Sequence, residues 1–176
     1  SFIFDSYSCR VGKGTHKAVS RLEKFLREIS KNNHKTVYAL KCDVRKFFDS
    51  IDKNVLLNII RNKIKDEDTI WLVSKILDSF SKTPGKGLPL GNVTSQLLAN
   101  IYLNELDQYV KHGLKIKYYL RYCDDFLILS KSKIHLENFI PIIDKFLQEK
   151  LKLNLHPNKI IIRKHKQGID FLGYVI

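Results

Sequence analysis

Two adjacent carboxylates interrupt an apolar, aromatic-rich part of the chain. The stretch YLRYCDDFLIL places Asp124 and Asp125 between two runs that are typical of β-strands. Like charges next to each other repel, and strand-forming surroundings offer them little water. Either the pair lies on an exposed turn, where the charges cost little, or a cation binds there. Carboxylate oxygens are the hard ligands that Mg²⁺ selects, so the pair is a candidate metal site.

A third carboxylate ends an earlier predicted strand. The stretch TVYALKCDV predicts a strand that delivers Asp43 near its end. The runs LKIKYYLRY and FLILS predict two strands of one hairpin, with Cys123 to Asp125 at its tip. If these strands are neighbours, the carboxylates could hold two Mg²⁺ ions about 4 Å apart, a geometry that supports in-line phosphoryl transfer. Paired acids at a turn are more often solvated than catalytic, so this hypothesis depends on the surrounding motifs.

Helices alternate with these strands along the chain. Apolar residues recur at helical spacing from Thr15, over 53–64, over 66–80, over 93–109 and from Leu136 to Leu151. Pro141 predicts a kink or a late start of the last helix. The stretches NKIIIRK and IDFLGYVI predict final strands. This order favours an α+β fold with a mostly antiparallel, ferredoxin-like sheet and packed helices.

An excess of basic residues favours a polyanionic partner. The 176 residues include 31 Lys and Arg against 18 Asp and Glu, a net charge of +13. The two signs nearly balance over 41–110, whereas both flanks are basic. That distribution suits an enzyme whose basic flanks bind nucleic acid and whose acid-containing centre binds cations. A solvated basic surface without a ligand is the alternative.

The cysteines and the apolar runs argue against several other classes. Cys9, Cys42 and Cys123 contain no C-x-x-C pair, so neither a disulfide framework nor a zinc site is predicted, and a reduced, cytoplasmic setting is expected. No apolar run approaches the ~20 residues that span a bilayer, and no signal-peptide pattern opens the chain, so no membrane partner is expected. The sequence lacks Met, even at position 1, and we expect a segment of a longer protein.

Five ordered stretches resemble the palm motifs of reverse transcriptases. They are ALKCDVRKFFDSID, GLPLGNVTSQLLANIYLNELD, RYCDDFLIL, LKLNLHPNKIII and IDFLGYVI, and SYSCRVGKGTHKA is similar to a finger motif. The resemblance covers almost the whole chain and implies an RNA-directed DNA polymerase that extends a primer 3′-hydroxyl. It implies partial fingers over 1–40 and a palm with five motifs over 41–176. Residues 66–90 are a candidate insertion of further fingers, and no thumb is expected.

The resemblance also implies four catalytic residues and one further metal contact. Asp43, Asp124 and Asp125, with the carbonyl of Val44, would bind two Mg²⁺ ions, for which Mn²⁺ is a substitute. Lys159 would donate a proton to the leaving pyrophosphate. A surface lysine that merely screens phosphate is the alternative for Lys159.

Further residues are implied to contact the substrates. The ring of Phe48 would exclude a ribose 2′-hydroxyl, whereas Phe47 is expected in the core. The other implied nucleotide contacts are the backbone amides of Lys46 and Phe47 and the Leu90-Gly91 stretch. The implied template and primer contacts are Arg10, Lys13, Ser95, Gln96, Phe171, Leu172, Gly173 and Tyr174. Solvated helix charges and a plain edge strand are the alternatives for several of these residues.

One departure from the family pattern separates two bacterial groups. Intron-type enzymes usually carry Gln before the motif's glycine and a Ser-Pro pair after it, whereas this chain has Leu90 before Gly91 and then Ser95-Gln96. The form LGNVTSQ is similar to that of diversity-generating retroelement reverse transcriptases, which we therefore prefer. A group II intron-type maturase is one alternative. A non-catalytic RRM-like module with aromatic residues exposed on its sheet is another.

The expected partners follow from this resemblance. They are an RNA template, a DNA or RNA primer and deoxynucleoside triphosphates. An accessory protein is a further candidate.

Overall fold

A four-stranded antiparallel sheet lies at the centre of the computed structural model, which describes residues 1–79, 83–89 and 91–176. Its strands are β1 (Tyr38–Cys42), β2 (Tyr119–Tyr122), β3 (Asp125–Ser130) and β4 (Ile161–Lys164). Across the sheet their order is β2-β3-β1-β4, and every neighbouring pair is antiparallel. This order is that of a ferredoxin-like sheet, so the predicted α+β fold is confirmed.

Helices connect and cover these strands. They are α1 (Thr15–Ser30), α2 (Phe47–Ser50), α3 (Lys53–Arg61), α4 (Glu67–Asp78), α5 (Val93–Gln108) and α6 (Lys133–Leu151). A π-helical turn, Tyr109–Gly113, extends α5, and a 3₁₀ turn, Pro157–Lys159, precedes β4. A small second sheet pairs β5 (Asp170–Phe171) with β6 (Tyr174–Val175). In the part of the chain that the structure describes, no helix is both long and apolar enough to cross a bilayer.

Of the kink and the late start predicted as alternatives for the last helix, the late start does not occur. Helix α6 begins at Lys133 and runs through Pro141. Its start is fixed by Ser132, whose side chain accepts a hydrogen bond from the backbone N–H of His135. A side-chain oxygen at this position satisfies one of the free amides of the first turn, which is why the helix begins there.

The alternation of side chains along the strands divides the core into two layers. Leu40 of β1 packs with α3, α5 and α6 on one face of the sheet, and Ala39 packs with α1 on the other. In β3, Ile128 belongs to the first layer and Leu127 to the second. Because both faces are covered, the sheet is a rigid support for whatever lies at the ends of its strands.

Two strand aromatics bear on the non-catalytic alternative. Tyr119 of β2 and Phe126 of β3 are both fully buried in the first core layer. An RRM-like module would instead present such rings to RNA bases. Tyr119 and Phe126 therefore do not favour that alternative.

Candidate active site

The β2–β3 hairpin carries the two adjacent aspartates at its tip. Tyr122 pairs with Asp125, so Cys123 and Asp124 form a two-residue turn, as the sequence predicts. Cys123 has a φ of 55°, a left-handed conformation that is uncommon outside Gly, Asn and Asp. Residues in this conformation persist only where the surrounding structure holds them in place, and they cluster at functional sites.

Strand β1 ends beside this turn. Cys42 at the end of β1 pairs with Phe126 of β3, so Asp43 follows directly next to the strand end that bears Asp125. The side chain of Asp43 is only 13% exposed. The register of the sheet therefore brings together carboxylates that lie far apart in the sequence.

The chain segment that follows β1 is hydrogen-bonded along the edge that faces away from β3. The carbonyl of Asp43 accepts a hydrogen bond from the N–H of His156 at 2.8 Å, and the N–H of Arg45 donates to the carbonyl of Asn154 at 3.0 Å. Successive carbonyls of an extended chain point to opposite edges. The carbonyl of Val44 therefore points toward the edge where β3 and the aspartate turn lie.

The charges of the three aspartates influence one another. Burial raises the pKa of Asp124, and the charge of Asp43 adds to that increase. Burial also raises the pKa of Asp125; the charge of Lys41 opposes this shift, and the charges of Asp43 and Asp124 add to it. Repulsion therefore acts between the end of β1 and the hairpin turn, and a cation among these side chains would relieve it.

Two lysines lie against this acidic site. The Nζ of Lys159 donates to Oδ2 of Asp43 at 2.8 Å, and this hydrogen bond and the charge of Asp43 raise the pKa of Lys159. The Nζ of Lys41 lies 4.0 Å from Oδ2 of Asp125. Sequence reasoning found Lys159 but missed Lys41. The available signal was the strand period of two, which places Lys41 and Asp43 on the same face of the chain.

The donor atoms of this site fit a metal ion better than the present arrangement of its side chains does. Within the described ranges, no three His, Cys, Asp or Glu side chains are arranged as a set that could hold a metal ion. The Nζ of Lys159 donates a hydrogen bond to Asp43. The donor types still fit a hard divalent cation, because the site offers carboxylate oxygens that repel each other.

The adjacent rings of Phe47 and Phe48 have different environments. Phe47 is 2% exposed and belongs to the core, as expected, whereas Phe48 is half-buried. Their ring centroids lie 5.3 Å apart in an edge-to-face contact. Phe48, Gln96 and Cys123 line one small cavity of about 10 Å³. The structure thus places Phe48 near the turn that carries Asp124.

The remaining predicted nucleotide contacts lie on turns. Lys46 has a φ of 45° directly before α2, and Gly91 has a φ of 90° shortly before α5. A Cβ at Gly91 would meet no heavy atom within 4 Å, so the backbone is open there. Leu90 lies outside the described residues. In the first turn of α5, Ser95 is buried and Gln96 is exposed.

The two predicted basic contacts near the start of the chain bind backbone carbonyls. The Nη1 atom of Arg10 donates to the carbonyls of Ile3 and Ser6 at 2.6 and 2.8 Å. The Nζ of Lys13 donates to the carbonyl of Phe4 at 2.8 Å and lies 3.5 Å from the centroid of its ring. In the structure both cations hold together the loop before α1.

The predicted primer-contact segment forms the β5–β6 hairpin. Phe171 pairs with Tyr174, and both turn residues have positive φ, 56° at Leu172 and 84° at Gly173. Positive φ at both central residues is the pattern of a type I′ turn. Phe171 is fully buried in the layer under α1, and the hydroxyl of Tyr174 lies 3.3 Å from Nδ1 of His16. Leu172, Gly173 and Tyr174 remain accessible at the surface.

The sequence and the fold match a known class of polymerase. The family model described as reverse transcriptase (RNA-dependent DNA polymerase) matches residues 1–176. The chain belongs to this family, whose chemistry is nucleotidyl transfer. The structure of apo telomerase from Candida tropicalis, truncated from its C-terminal domain, superposes with a TM-score of 0.74. That match has 17% identity and covers 98% of this chain and 39% of the telomerase chain.

Similar proteins include bacterial relatives that are considerably longer. Protein YkfC of Escherichia coli K12 is 25% identical over 207 residues, which cover 96% of this chain and 54% of YkfC. The group II intron-encoded protein LtrA of Lactococcus lactis subsp. cremoris is 29% identical over 203 residues, covering 76% of this chain and 34% of LtrA. The chain thus spans about half, or less, of the length of these relatives.

Proposed function

We propose that this chain carries the polymerising centre of an RNA-directed DNA polymerase. The enzyme would extend a primer 3′-hydroxyl with deoxynucleoside triphosphates copied from an RNA template. The observation that carries this proposal is the register of the sheet, which sets Asp43 at the end of β1 beside the Asp124–Asp125 turn. Membership in the reverse transcriptase family supports it.

The carboxylates and Lys159 would have different roles in the reaction. Asp43, Asp124, Asp125 and the carbonyl of Val44 would hold two Mg²⁺ ions, with Mn²⁺ as a substitute. Bound there, the metal supplies Lewis-acid activation of the hydroxyl and neutralisation of phosphate charge. Lys159 lies 2.8 Å from Asp43 and carries a proton that the leaving pyrophosphate can accept.

The nucleotide would occupy the space between α2 and the hairpin turn. Phe48 lies beside Cys123 there, which supports the proposal that its ring would exclude a 2′-hydroxyl by contact. The amides of Lys46 and Phe47 and the open backbone at Gly91 would contact the triphosphate. Leu90 is proposed as a further nucleotide contact.

The template and primer would be held around this pocket. Ser95 and Gln96 at the start of α5 and the accessible part of the β5–β6 hairpin are the proposed contacts, with Phe171 as their buried support. Arg10 and Lys13 would meet phosphates at the edge of the site. We assign 1–40 to the fingers and 41–176 to the palm, with 66–90 as a candidate insertion.

The subfamily proposal is a diversity-generating retroelement enzyme. It is supported by the form LGNVTSQ, with Leu90 before the glycine and Ser95-Gln96 after it. The alternative, an intron-type maturase, is favoured by the similarity to LtrA, a group II intron-encoded protein. The genetic surroundings distinguish the two, because an intron-type enzyme is encoded within its intron.

Primer extension on an RNA template tests the proposal. The complete natural polypeptide is assayed with Mg²⁺, beside Asp124→Ala and a control, Asp68→Ala, at an exposed acid of α4. Extension by the parent and the control, and its loss in Asp124→Ala, is expected. A parent that incorporates nothing, or an Asp124→Ala variant as active as the parent, would refute the polymerase assignment.

A further inference from the structure

A fully buried ion pair lies behind the aspartate turn. Arg121 of β2 is 1% exposed and Asp107 of α5 is not exposed at all. The guanidinium contacts both carboxylate oxygens, Nε to Oδ1 at 2.8 Å and Nη2 to Oδ2 at 2.7 Å. The hydroxyl of Tyr119 donates to the same Oδ1 at 2.7 Å. Asp107 thereby accepts three hydrogen bonds and fixes the plane of the guanidinium.

This pair needs an explanation other than stability. Burying both charges is costly, and apolar replacements of such pairs are often neutral or stabilising. Burial acts to lower the pKa of Arg121, but the charge and hydrogen bonds of Asp107 outweigh it and raise that pKa, so the cation persists. Such a pair supplies directional hydrogen bonds that apolar residues of the same volume cannot make.

The remaining arm of the guanidinium reaches the active-site turn. Nη1 of Arg121 donates to the carbonyl of Cys123 at 2.8 Å and also approaches Oδ1 of Asn100 at 3.3 Å. Asn100 itself donates to the carbonyl of Ser8 at 2.9 Å. The network therefore connects α5 and the loop before α1 to the peptide bond between Cys123 and Asp124.

That peptide bond decides which form the turn takes. Of the two central residues, Cys123 has positive φ and Asp124 does not, which is the pattern of a type II′ turn. The alternative type I′ form differs by a flip of the central peptide, whose carbonyl is the one that Arg121 holds. Glycine is the residue that favours type II′ at the first position, and this chain has Cys123 there.

We propose that Arg121 is a positioning residue for the catalytic turn, which selects one orientation of the Cys123–Asp124 peptide and so directs the Asp124 carboxylate into the site. Asp107 holds the guanidinium at the required angle. The inference rests on the proposed function, since it assigns Arg121 a role in the same polymerising centre.

A double substitution that removes both charges distinguishes a positioning role of Arg121 from a role in stability. Arg121→Met combined with Asp107→Leu removes both charges and fills similar volume, so no unpaired charge remains. Arg121→Lys keeps the charge but loses the planar fork that serves Asp107 and Cys123 together. Tyr119→Phe is the matched control, because it removes one hydrogen bond from Asp107 and leaves the contacts of Arg121 with Asp107, Cys123 and Asn100. Each variant is made in the complete natural polypeptide.

Thermal unfolding and steady-state primer extension are measured for each variant. We expect the pair variant to fold and its kcat to fall about 10- to 100-fold, as misplacement of a catalytic group does. KM for the nucleotide should stay within about threefold, because binding groups are untouched. Arg121→Lys should lose kcat in the same way, and Tyr119→Phe should keep the parent's kcat.

Each other outcome decides against the inference. A folded pair variant or a folded Arg121→Lys with the parent's kcat would overturn it. If both fail to fold, the pair is structural and the inference is equally overturned. A parent that does not extend a primer contradicts the proposed function itself, whereas an active parent with equally active variants contradicts the role of Arg121 alone.

Discussion

Lys159 donates a hydrogen bond from Nζ to Oδ2 of Asp43 at 2.8 Å, which joins the turn before β4 to the end of β1. The bond and the charge of Asp43 raise the pKa of Lys159, so its ammonium form persists through and above neutral pH. A general acid must arrive protonated. The contact therefore places the lysine at the carboxylates and keeps it protonated.

Replacing Lys159 should slow the chemistry. Lys159→Met should lower kcat for nucleotide incorporation by about 100-fold, the contribution typical of a positioned general acid. Lys150→Met, at an exposed site in the last turn of α6, is the control and should behave like the parent. Rapid-quench measurement of single incorporation reads the rate directly. Equal rates for Lys159→Met and the parent would remove the lysine from the mechanism.

Removing the charge of Asp124 should stabilise the metal-free protein near neutral pH. Its pKa is raised by burial and by Asp43, so the folded state binds its proton more tightly than the unfolded chain. The unfolding free energy therefore falls as pH rises through the ordinary and then the raised pKa. At about pH 7, Asp124→Asn should melt above the parent by a few degrees, and the gap should close near about pH 3.

The matching control for that series is again an exposed acid. Asp68→Asn should leave the melting temperature close to the parent's across the same pH range, because Asp68 is exposed at the start of α4. An Asp124→Asn variant that melts below the parent at neutral pH would contradict the electrostatic description of the site.

Alanine substitutions of the two adjacent phenylalanines should have different effects. Phe48→Ala should relax sugar selection, raising the kcat/KM for ribonucleotides relative to deoxynucleotides by about 10-fold or more, since a steric exclusion is lost. Phe47→Ala should instead destabilise the fold by about 3–5 kcal/mol, because Phe47 is a buried core residue. If Phe48→Ala incorporates ribonucleotides no better than the parent, the ring does not contact the sugar.

Leu90 offers a test of fidelity. An apolar side chain before Gly91 removes the polar contacts that an amide would make, from which we expect a permissive nucleotide pocket. Leu90→Gln should lower misincorporation, measured by sequencing the extension products. An unchanged error spectrum would remove Leu90 from nucleotide selection.

The sequence predicts the strands and the hairpin because their local signals agree with the fold. The mainly apolar runs of β1 and β3 and the turn at Cys123–Asp124 are readable from neighbouring residues alone. The late start at Pro141 is wrong because the proline rule overrode the cap at Ser132. A proline inside a helix loses one hydrogen bond, which packing of the apolar face compensates.

The contacts behind the site were harder to predict. Arg121 is a charged residue in an apolar strand, and Asp107 stands at helical spacing from the buried Leu103 and Val110, so each alone signals a buried polar group. Their pairing depends on how α5 packs under β2, and no local pattern specifies that distance. The same holds for Lys41 and Asp125, which belong to different strands.

Binding of Mn²⁺, followed by electron paramagnetic resonance, tests most directly whether Asp43 and the Asp124 turn form one metal site. The parent and Asp68→Asn should bind the ion, and Asp43→Asn and Asp124→Asn should each lose that binding, because each removes an oxygen ligand from the same place. Undiminished binding by both Asp43→Asn and Asp124→Asn would contradict a shared site.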